Sequence, residues 1–171
     1  MKNVQEEIVP ASLTAKIVNF TGFVGLHVAC FSAIWTGITW RALIIAFTLY
    51  WTRMFLITGV YHRYFVHKAY KTWRWLRFVL GFLSTTCLQK GPLWWTAKHR
   101  IHHKESDQPL DAHSPKQYGF WHAHILWFLW SKDSGATQMR LVKDLSKYPE
   151  IVWLDKYHWV APTLLGILCY Y

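Results

Sequence analysis

The chain contains 171 residues with a net charge of +10, and 53% of them are hydrophobic, 18% aromatic and only 16% charged. This composition excludes intrinsic disorder, and the charged fraction lies below the roughly 25% of ordinary soluble domains. The basic charge suits nucleic acid or an anionic membrane surface, but the long apolar runs favour the membrane, so no nucleic-acid partner is expected.

Three apolar runs predict transmembrane helices. Residues 17–40 carry no charged side chain, and a helix of this length reaches roughly 36 Å, enough to cross the hydrocarbon core of a bilayer. Residues 42–61 contain a single charge, and a tight turn at Trp40 and Arg41 makes these two runs a hairpin. The third run begins after Lys156 and is still apolar at residue 171, so we expect the printed chain to end inside a third transmembrane helix.

The segment between the second and third runs holds most of the charge. Residues 61–158 contain 15 of the 19 lysines and arginines, which places this segment on the cytoplasmic side by the positive-inside rule. Its two apolar stretches, 76–88 and 125–130, are too short to cross a bilayer and are predicted to be helices of a cytosolic cap or of its membrane interface.

These patterns predict an all-α integral membrane protein with two full spans, the start of a third, and a helical cytosolic cap that carries a His-rich metal site. The predicted segments are a cytosolic N-terminal segment at 1–16, a transmembrane hairpin at 17–61, the cap at 62–156, and the start of the third span at 157–171.

Two groups of histidines stand out among the ten in the chain. His62 and His67 follow the second apolar run, whereas His99, His102 and His103 lie together further on. On an α-helix the last three imidazoles project within an arc of about 100°, which suits a metal such as iron, copper or zinc. The first two are five residues apart, about 140° around an α-helix. They share one metal only if the helix ends there; otherwise different metals bind them.

Other kinds of catalytic site fit the sequence less well. Neither histidine group contains the glutamate of a metalloprotease helix. The chain also has no Gly-rich phosphate loop, no Ser nucleophile elbow and no zinc-finger spacing.

The first histidine group reads His62-Arg-x-x-x-His67, and the second reads His99-Arg-x-His-His103. Both resemble the first two histidine boxes of membrane fatty acyl desaturases, and the Δ9 acyl-CoA (stearoyl-CoA) group is the most similar. Thr58-Gly-Val-Tyr61 before box one and Asp111-Ala-His-Ser-Pro115 after box two extend the resemblance. It covers roughly residues 53–130 strongly and the flanking spans by pattern.

The resemblance implies an oxygen-dependent diiron enzyme that introduces a cis double bond, expected at carbon 9, into a saturated fatty acyl chain. A third box, His-Asn-x-His-His, does not occur in the printed sequence. No fused cytochrome b5 signature is present, so a separate electron donor of ferredoxin or cytochrome b5 type is expected. Five of the family's iron ligands carry over, at His62, His67, His99, His102 and His103.

The resemblance also suggests how substrate is bound. Trp95 stands four residues before box two and is the best candidate for the wall of an acyl tunnel. Ala97 and Lys98 replace an Arg-Asp pair that is typical of the acyl-CoA branch of the family, where it helps to hold the CoA head group. The candidates for binding a phosphorylated carrier are therefore Lys98, Arg100 and Lys104. Acyl-CoA is the first expectation, while acyl carrier protein and lipid-linked chains stay open.

Asp107 and Asp111, which follow box two, are expected to orient ligand imidazoles from behind. Two other functions stay open: a membrane hydroxylase of fatty acids, sterols or alkanes with similar boxes, and a non-catalytic membrane protein with a degenerate metal site. The sequence from Gln89 to Trp95 resembles bacterial members, so a bacterial inner membrane with a cytoplasmic cap is favoured over the endoplasmic reticulum.

Overall fold

The computed structural model describes residues 12–129 and 139–170, and within these ranges every regular element is a helix. This confirms the all-α prediction. Residues 1–11 of the predicted N-terminal segment and residue 130 of the second short apolar stretch lie outside the described ranges. The longer α-helices are α1 (Leu13–Cys30), α3 (Trp40–Phe55), α4 (Arg74–Thr85), α5 (Pro92–Lys104), α9 (Pro149–Lys156) and α10 (Val160–Tyr170).

Shorter elements connect these helices. Two segments are π-helical, and one is a 3₁₀-helix. The short elements are α2 (Ala33–Thr36), the π-helical segments Leu56–Val66 and His122–Leu126, α6 (Pro115–Tyr118), α7 (Trp127–Leu129), the 3₁₀-helix Met139–Val142 and α8 (Lys143–Ser146).

Among the residues that the structure describes, two helical stretches are long and apolar enough to cross a membrane, Lys16–Thr36 and Trp40–Val66. In the most apolar part of each stretch, protein buries none of the residues of the first and 11% of those of the second. Lipid would cover the apolar surface that is left exposed. They fit the two predicted spans and a membrane protein. The break between them lies at residues 37–39, just before the predicted turn, and Gly37 adopts a φ of 76° that favours glycine.

The described residues fall into two compact units. The first comprises residues 12–46 and 101–129, and the second comprises residues 47–100 and 139–170. In the first unit α1 contacts α7, where the ring of Phe23 meets that of Phe128 edge to face at 5.8 Å between centroids.

The core of the second unit forms where the π-helical segment Leu56–Val66 packs on α4, and α4 packs on α9. Phe65 and Leu154 are almost fully buried there, and each such side chain contributes about 1.5–3 kcal/mol by leaving water. The buried hydroxyl of Tyr61 donates to the carbonyl of Lys90 at 2.7 Å, which satisfies the polar end of its ring.

A bidentate ion pair also joins α4 to α9. Arg74 donates from Nε and Nη2 to the two carboxylate oxygens of Glu150, at 2.7 and 2.8 Å. The hydrogen bond from Arg74 lowers the pKa of Glu150 to about 2. The pair therefore stays charged throughout the physiological pH range.

Gly91 allows a close approach between the start of α5 and α9. A Cβ at this position would overlap both the backbone and the carboxylate of Asp155, whose Oδ1 accepts the N–H of Trp94 at 2.8 Å. We expect Gly91→Ala to lower the free energy of unfolding by about 1–3 kcal/mol, because the backbone of α9 must move. Thermal unfolding in detergent measures this. Gly22→Ala is the control, because its Cβ would meet no atom within 4 Å. Equal melting temperatures for the two variants would contradict the expectation.

Candidate metal centre

The π-helical segment Leu56–Val66 brings together the two histidines of the first box. In a π-helix each N–H bonds to the carbonyl five residues earlier, and His67 N–H donates in this way to His62 O at 3.1 Å. The wider turn places residues five apart on the same side, which the α-helical angle of about 140° would not. The Nε2 atoms of the two imidazoles are 3.1 Å apart.

Helix α5 adds a third imidazole in the same unit. The ring centroid of His99 lies 4.7 Å from that of His62 and 6.1 Å from that of His67. A ligand nitrogen of each of the three lies within 4.8 Å of those of the others. Imidazole nitrogens suit iron, copper and zinc, so this donor set fits the iron that the sequence predicts. His103 follows His99 by four residues, one turn further along α5, and is exposed.

Trp95 packs directly against this cluster. Its ring stacks on His99 at 4.7 Å and on Tyr61 at 5.4 Å between centroids, and its Nε1–H donates to Gln89 Oε1 at 2.8 Å. The residue predicted to line an acyl tunnel therefore lies beside the imidazoles and restricts the rotation of the His99 ring.

A cleft of about 480 Å³ opens beside the same histidines. This volume lies in the range of small-molecule sites. The residues that line it are Thr58, His62, Arg63, His67 and Ala69.

His102 belongs to a second group, within the first unit. Its Nδ1–H donates to Oδ1 of Asp111 at 2.9 Å, and its ring stacks on that of His113 at 4.1 Å between centroids. The carboxylate is 1% exposed. Burial alone would raise the pKa of Asp111, but the hydrogen bonds from His102 and from the backbone of Asp107 together lower it. A carboxylate that accepts from one imidazole nitrogen is the usual way in which a metal-binding histidine is oriented, and Asp111 has this relation to Nδ1 of His102.

The two acidic residues predicted to orient imidazoles thus differ. Asp111 bonds to an imidazole, whereas Asp107 shapes the turn, because its Oδ1 accepts from the hydroxyl of Ser114 at 2.8 Å and its carbonyl from Gln117 at 2.7 Å. His113 was not among the predicted ligands. Its only signal was its place two residues after Asp111 in the family-like sequence.

The basic residues predicted to bind a phosphorylated carrier lie in different surroundings. Lys98 is only 7% exposed, and its ammonium group lies 5.9 Å from the centroid of the Trp94 ring. Lys104 is exposed and pairs with Glu105 at 3.2 Å. Arg100 belongs to an ion-pair network of the second unit. A residue that binds the head group of a carrier has to be exposed to solvent. Of the three candidates, Lys104 is the one that meets this requirement.

Curated relatives share sequence with most of the chain. It is 37% identical over 156 residues to an sn-1 stearoyl-lipid 9-desaturase of Anabaena variabilis, covering 90% of this chain and 57% of the relative. It is 32% identical over 139 residues to an sn-2 palmitoyl-lipid 9-desaturase of Nostoc, covering 77% and 48%. It is 41% identical over 109 residues to an acyl-CoA 5-desaturase of Anemone leveillei, covering 63% and 33%.

The chain spans about half the length of the curated relatives it matches. No family model and no solved structure matches it. A match that covers 90% of the chain necessarily includes residues 62–103, and so both histidine groups. Over the residues that these matches cover, the chain is similar to fatty acyl desaturases, and these relatives are all named acyl-lipid or acyl-CoA desaturases.

Proposed function

We propose that the protein is a fatty acyl desaturase, an oxygen-dependent diiron enzyme that introduces a cis double bond at carbon 9 of a saturated acyl chain. The observation that carries the proposal is the convergence of His62, His67 and His99 at the end of an apolar helix long enough to cross a membrane. A metal held there would meet an acyl chain that enters from the bilayer.

The proposed iron ligands are the five histidines of the two boxes, His62, His67, His99, His102 and His103. Iron bound there would activate O2, the oxidant that removes two hydrogen atoms from an unactivated methylene pair and is reduced to water with two electrons from the donor.

The other residues of the site bind and orient. Trp95 holds the His99 ring by stacking, and Asp111 accepts a hydrogen bond from Nδ1 of His102 and so orients that ring. The cleft beside His62 and His67 has room for a segment of acyl chain.

The setting of the enzyme is also a proposal. The lysines and arginines concentrated in residues 61–158 support a cap on the cytoplasmic side, in a bacterial inner membrane. Electrons would come from a separate donor of ferredoxin or cytochrome b5 type.

Product analysis tests the function directly. The whole protein is expressed in a host with a defined fatty acid composition, and the position and kind of new functional group are determined by mass spectrometry. A new cis double bond at carbon 9 supports the proposal. An inserted hydroxyl group assigns the protein to the membrane hydroxylases instead. Unchanged fatty acids with folded, iron-free protein indicate a degenerate metal site.

The acyl carrier calls for a separate test, because the matched relatives bear both acyl-lipid and acyl-CoA names. If the carrier is CoA, we expect Lys98→Met with Lys104→Met to raise the apparent KM for acyl-CoA while bound iron stays constant, since a ground-state contact is lost. Each contact contributes about 1–3 kcal/mol if charge-assisted. Methionine keeps an unbranched apolar side chain at both positions and removes the charge. An unchanged KM, or full activity on lipid-linked chains without CoA, rejects acyl-CoA and leaves the desaturase proposal intact.

A further inference from the structure

Arg100, the residue that follows His99, is held by the short helical segment 139–146. Its Nη1 donates to Asp144 Oδ1 at 2.8 Å and its Nη2 to Asp144 Oδ2 at 3.0 Å. Nη1 also donates to the carbonyl of Leu141 at 2.7 Å. A bidentate arginine–carboxylate pair fixes orientation as well as charge. The guanidinium that the sequence predicts to contact a phosphate therefore pairs with a carboxylate of the chain itself.

The same network reaches the end of the first histidine box. Lys68, which follows His67, places its Nζ 2.8 Å from Asp144 Oδ2. Arg100 Nη2 also donates to the carbonyl of Phe65 at 3.4 Å. Lys68 has a φ of 53°, a left-handed conformation that lysine seldom adopts. One carboxylate thus contacts the residue after His67 and the residue after His99.

The two links of this network differ in strength. The side chains of Arg100 and Asp144 are 22% and 31% exposed, whereas that of Lys68 is 60% exposed. Exposed ion pairs contribute little, so the main link to the π-helical segment is the hydrogen bond from Arg100 to the carbonyl of Phe65, and the bidentate pair with Asp144 holds the guanidinium in place for it. Burial alone would raise the pKa of Asp144, but the hydrogen bonds from Arg100 and Lys68 hold it well below its ordinary range. The carboxylate is therefore ionised at neutral pH.

We propose that Arg100 and Asp144 form a clamp that holds the end of the π-helical segment Leu56–Val66 against α5 and thereby sets the spacing between His67 and His99. Both are positioning residues: they act on the metal through the backbone of the two histidines. The proposal deepens the proposed function, because it assigns the arginine of the second box to metal-site geometry rather than to the acyl carrier.

Metal retention tests the clamp in the whole protein. Asp144→Asn keeps the shape of the side chain and removes its charge. We expect its iron to be lost to a chelator about 10–100 times faster, as when a group that orients a ligand is removed. We also expect kcat to fall while KM for the acyl substrate stays constant. We expect Arg100→Lys also to raise the rate of iron loss and to lower kcat, because lysine keeps the charge but lacks the planar guanidinium that pairs with both carboxylate oxygens.

Glu150→Gln is the matched control. It disrupts another bidentate arginine pair of the same unit by the same kind of substitution, and that pair joins α4 to α9 rather than the histidine segments. Iron retention like that of the wild type is expected. Equal rates of iron loss in Asp144→Asn and Glu150→Gln would show a general loss of stability and would overturn the clamp.

Amide hydrogen exchange gives a readout that needs no iron. The N–H of Ala69 donates to Arg63 O at 2.9 Å, and that of Lys68 to Tyr64 O at 3.2 Å. In the metal-free protein we expect exchange over residues 66–69 to be faster in Asp144→Asn than in the wild type or in Glu150→Gln. Unchanged exchange overturns the clamp. A wild-type protein that binds no iron refutes the proposed function, yet this comparison still decides on the clamp.

The rival role for Arg100 gives a distinct result. If its guanidinium binds the phosphates of an acyl carrier, Arg100→Lys retains iron at the wild-type rate and raises KM for acyl-CoA. That outcome also overturns the clamp.

Discussion

Replacing His99 by alanine is expected to abolish desaturation and to release the metal. Its ring lies 4.7 Å from that of His62 and stacks on Trp95, so alanine removes one nitrogen donor from the centre of the cluster. Complementation of a strain that requires unsaturated fatty acids reports the loss as a failure to grow, with the amount of protein checked by immunoblotting. The same loss is expected for alanine at each of the other four proposed ligands, His62, His67, His102 and His103.

The matched control for this series is His122→Ala. His122 begins the second π-helical segment, and its ring lies 4.9 Å from that of Tyr118 rather than in either histidine group. Most of the growth should therefore remain. Full growth with His102→Ala, or loss of growth with His122→Ala at a normal protein level, would show that the ligands are assigned to the wrong residues.

Asp111→Asn is expected to weaken metal binding about 10–100-fold. The carboxylate accepts the Nδ1–H of His102, and an amide in its place offers a weaker acceptor or turns a donor towards that N–H. Because Asp111 is almost completely buried, water does not replace the lost bond. Competition with a chromogenic chelator measures the affinity, and the circular dichroism spectrum checks that the helices persist.

Asp107→Asn serves as the control for this variant. Asp107 accepts the hydroxyl hydrogen of Ser114, a bond that the carbonyl oxygen of asparagine also accepts. Metal affinity near that of the wild type is expected. Equal weakening in the two variants would mean that Asp111 acts by holding the turn rather than by orienting His102.

The two apolar helices were predictable because a helix exposed to lipid requires a continuous run of apolar residues, which is visible in the sequence. A single run of about twenty residues with almost no charge crosses a bilayer as an α-helix, because the helix satisfies every backbone hydrogen bond internally. The helical stretches Lys16–Thr36 and Trp40–Val66 agree with this expectation. The break at residues 37–39 falls before the predicted turn at Trp40 and Arg41, because the glycine at position 37 adopts the positive φ there.

The relation between His62 and His67 was not predictable from helical periodicity. An α-helix separates residues five apart by about 140°, so the sequence indicated either the end of the helix or two metals. The π-helical hydrogen bond from His67 to His62 removes this conflict. No simple residue pattern predicts a π-helical segment, because its formation depends on how the end of the helix packs in its unit.

Arg100 shows a second limit of sequence interpretation. The sequence alone does not distinguish a basic residue that binds a phosphate from one that pairs with a carboxylate. Its partner, Asp144, lies 44 positions away and carries no local signal. Lys98 is similar, since its burial depends on how α5 packs in the folded chain. Charge identified the candidates, but only packing separates their surroundings.

The central claim is that the clustered histidines hold iron, and X-ray absorption at the iron edge of the whole purified protein tests it most directly. We expect two irons per chain with a first shell of imidazole nitrogens. We also expect the signal to disappear when His62, His67 and His99 are replaced together. Intact protein without iron, or full iron content in that triple variant, would contradict the account.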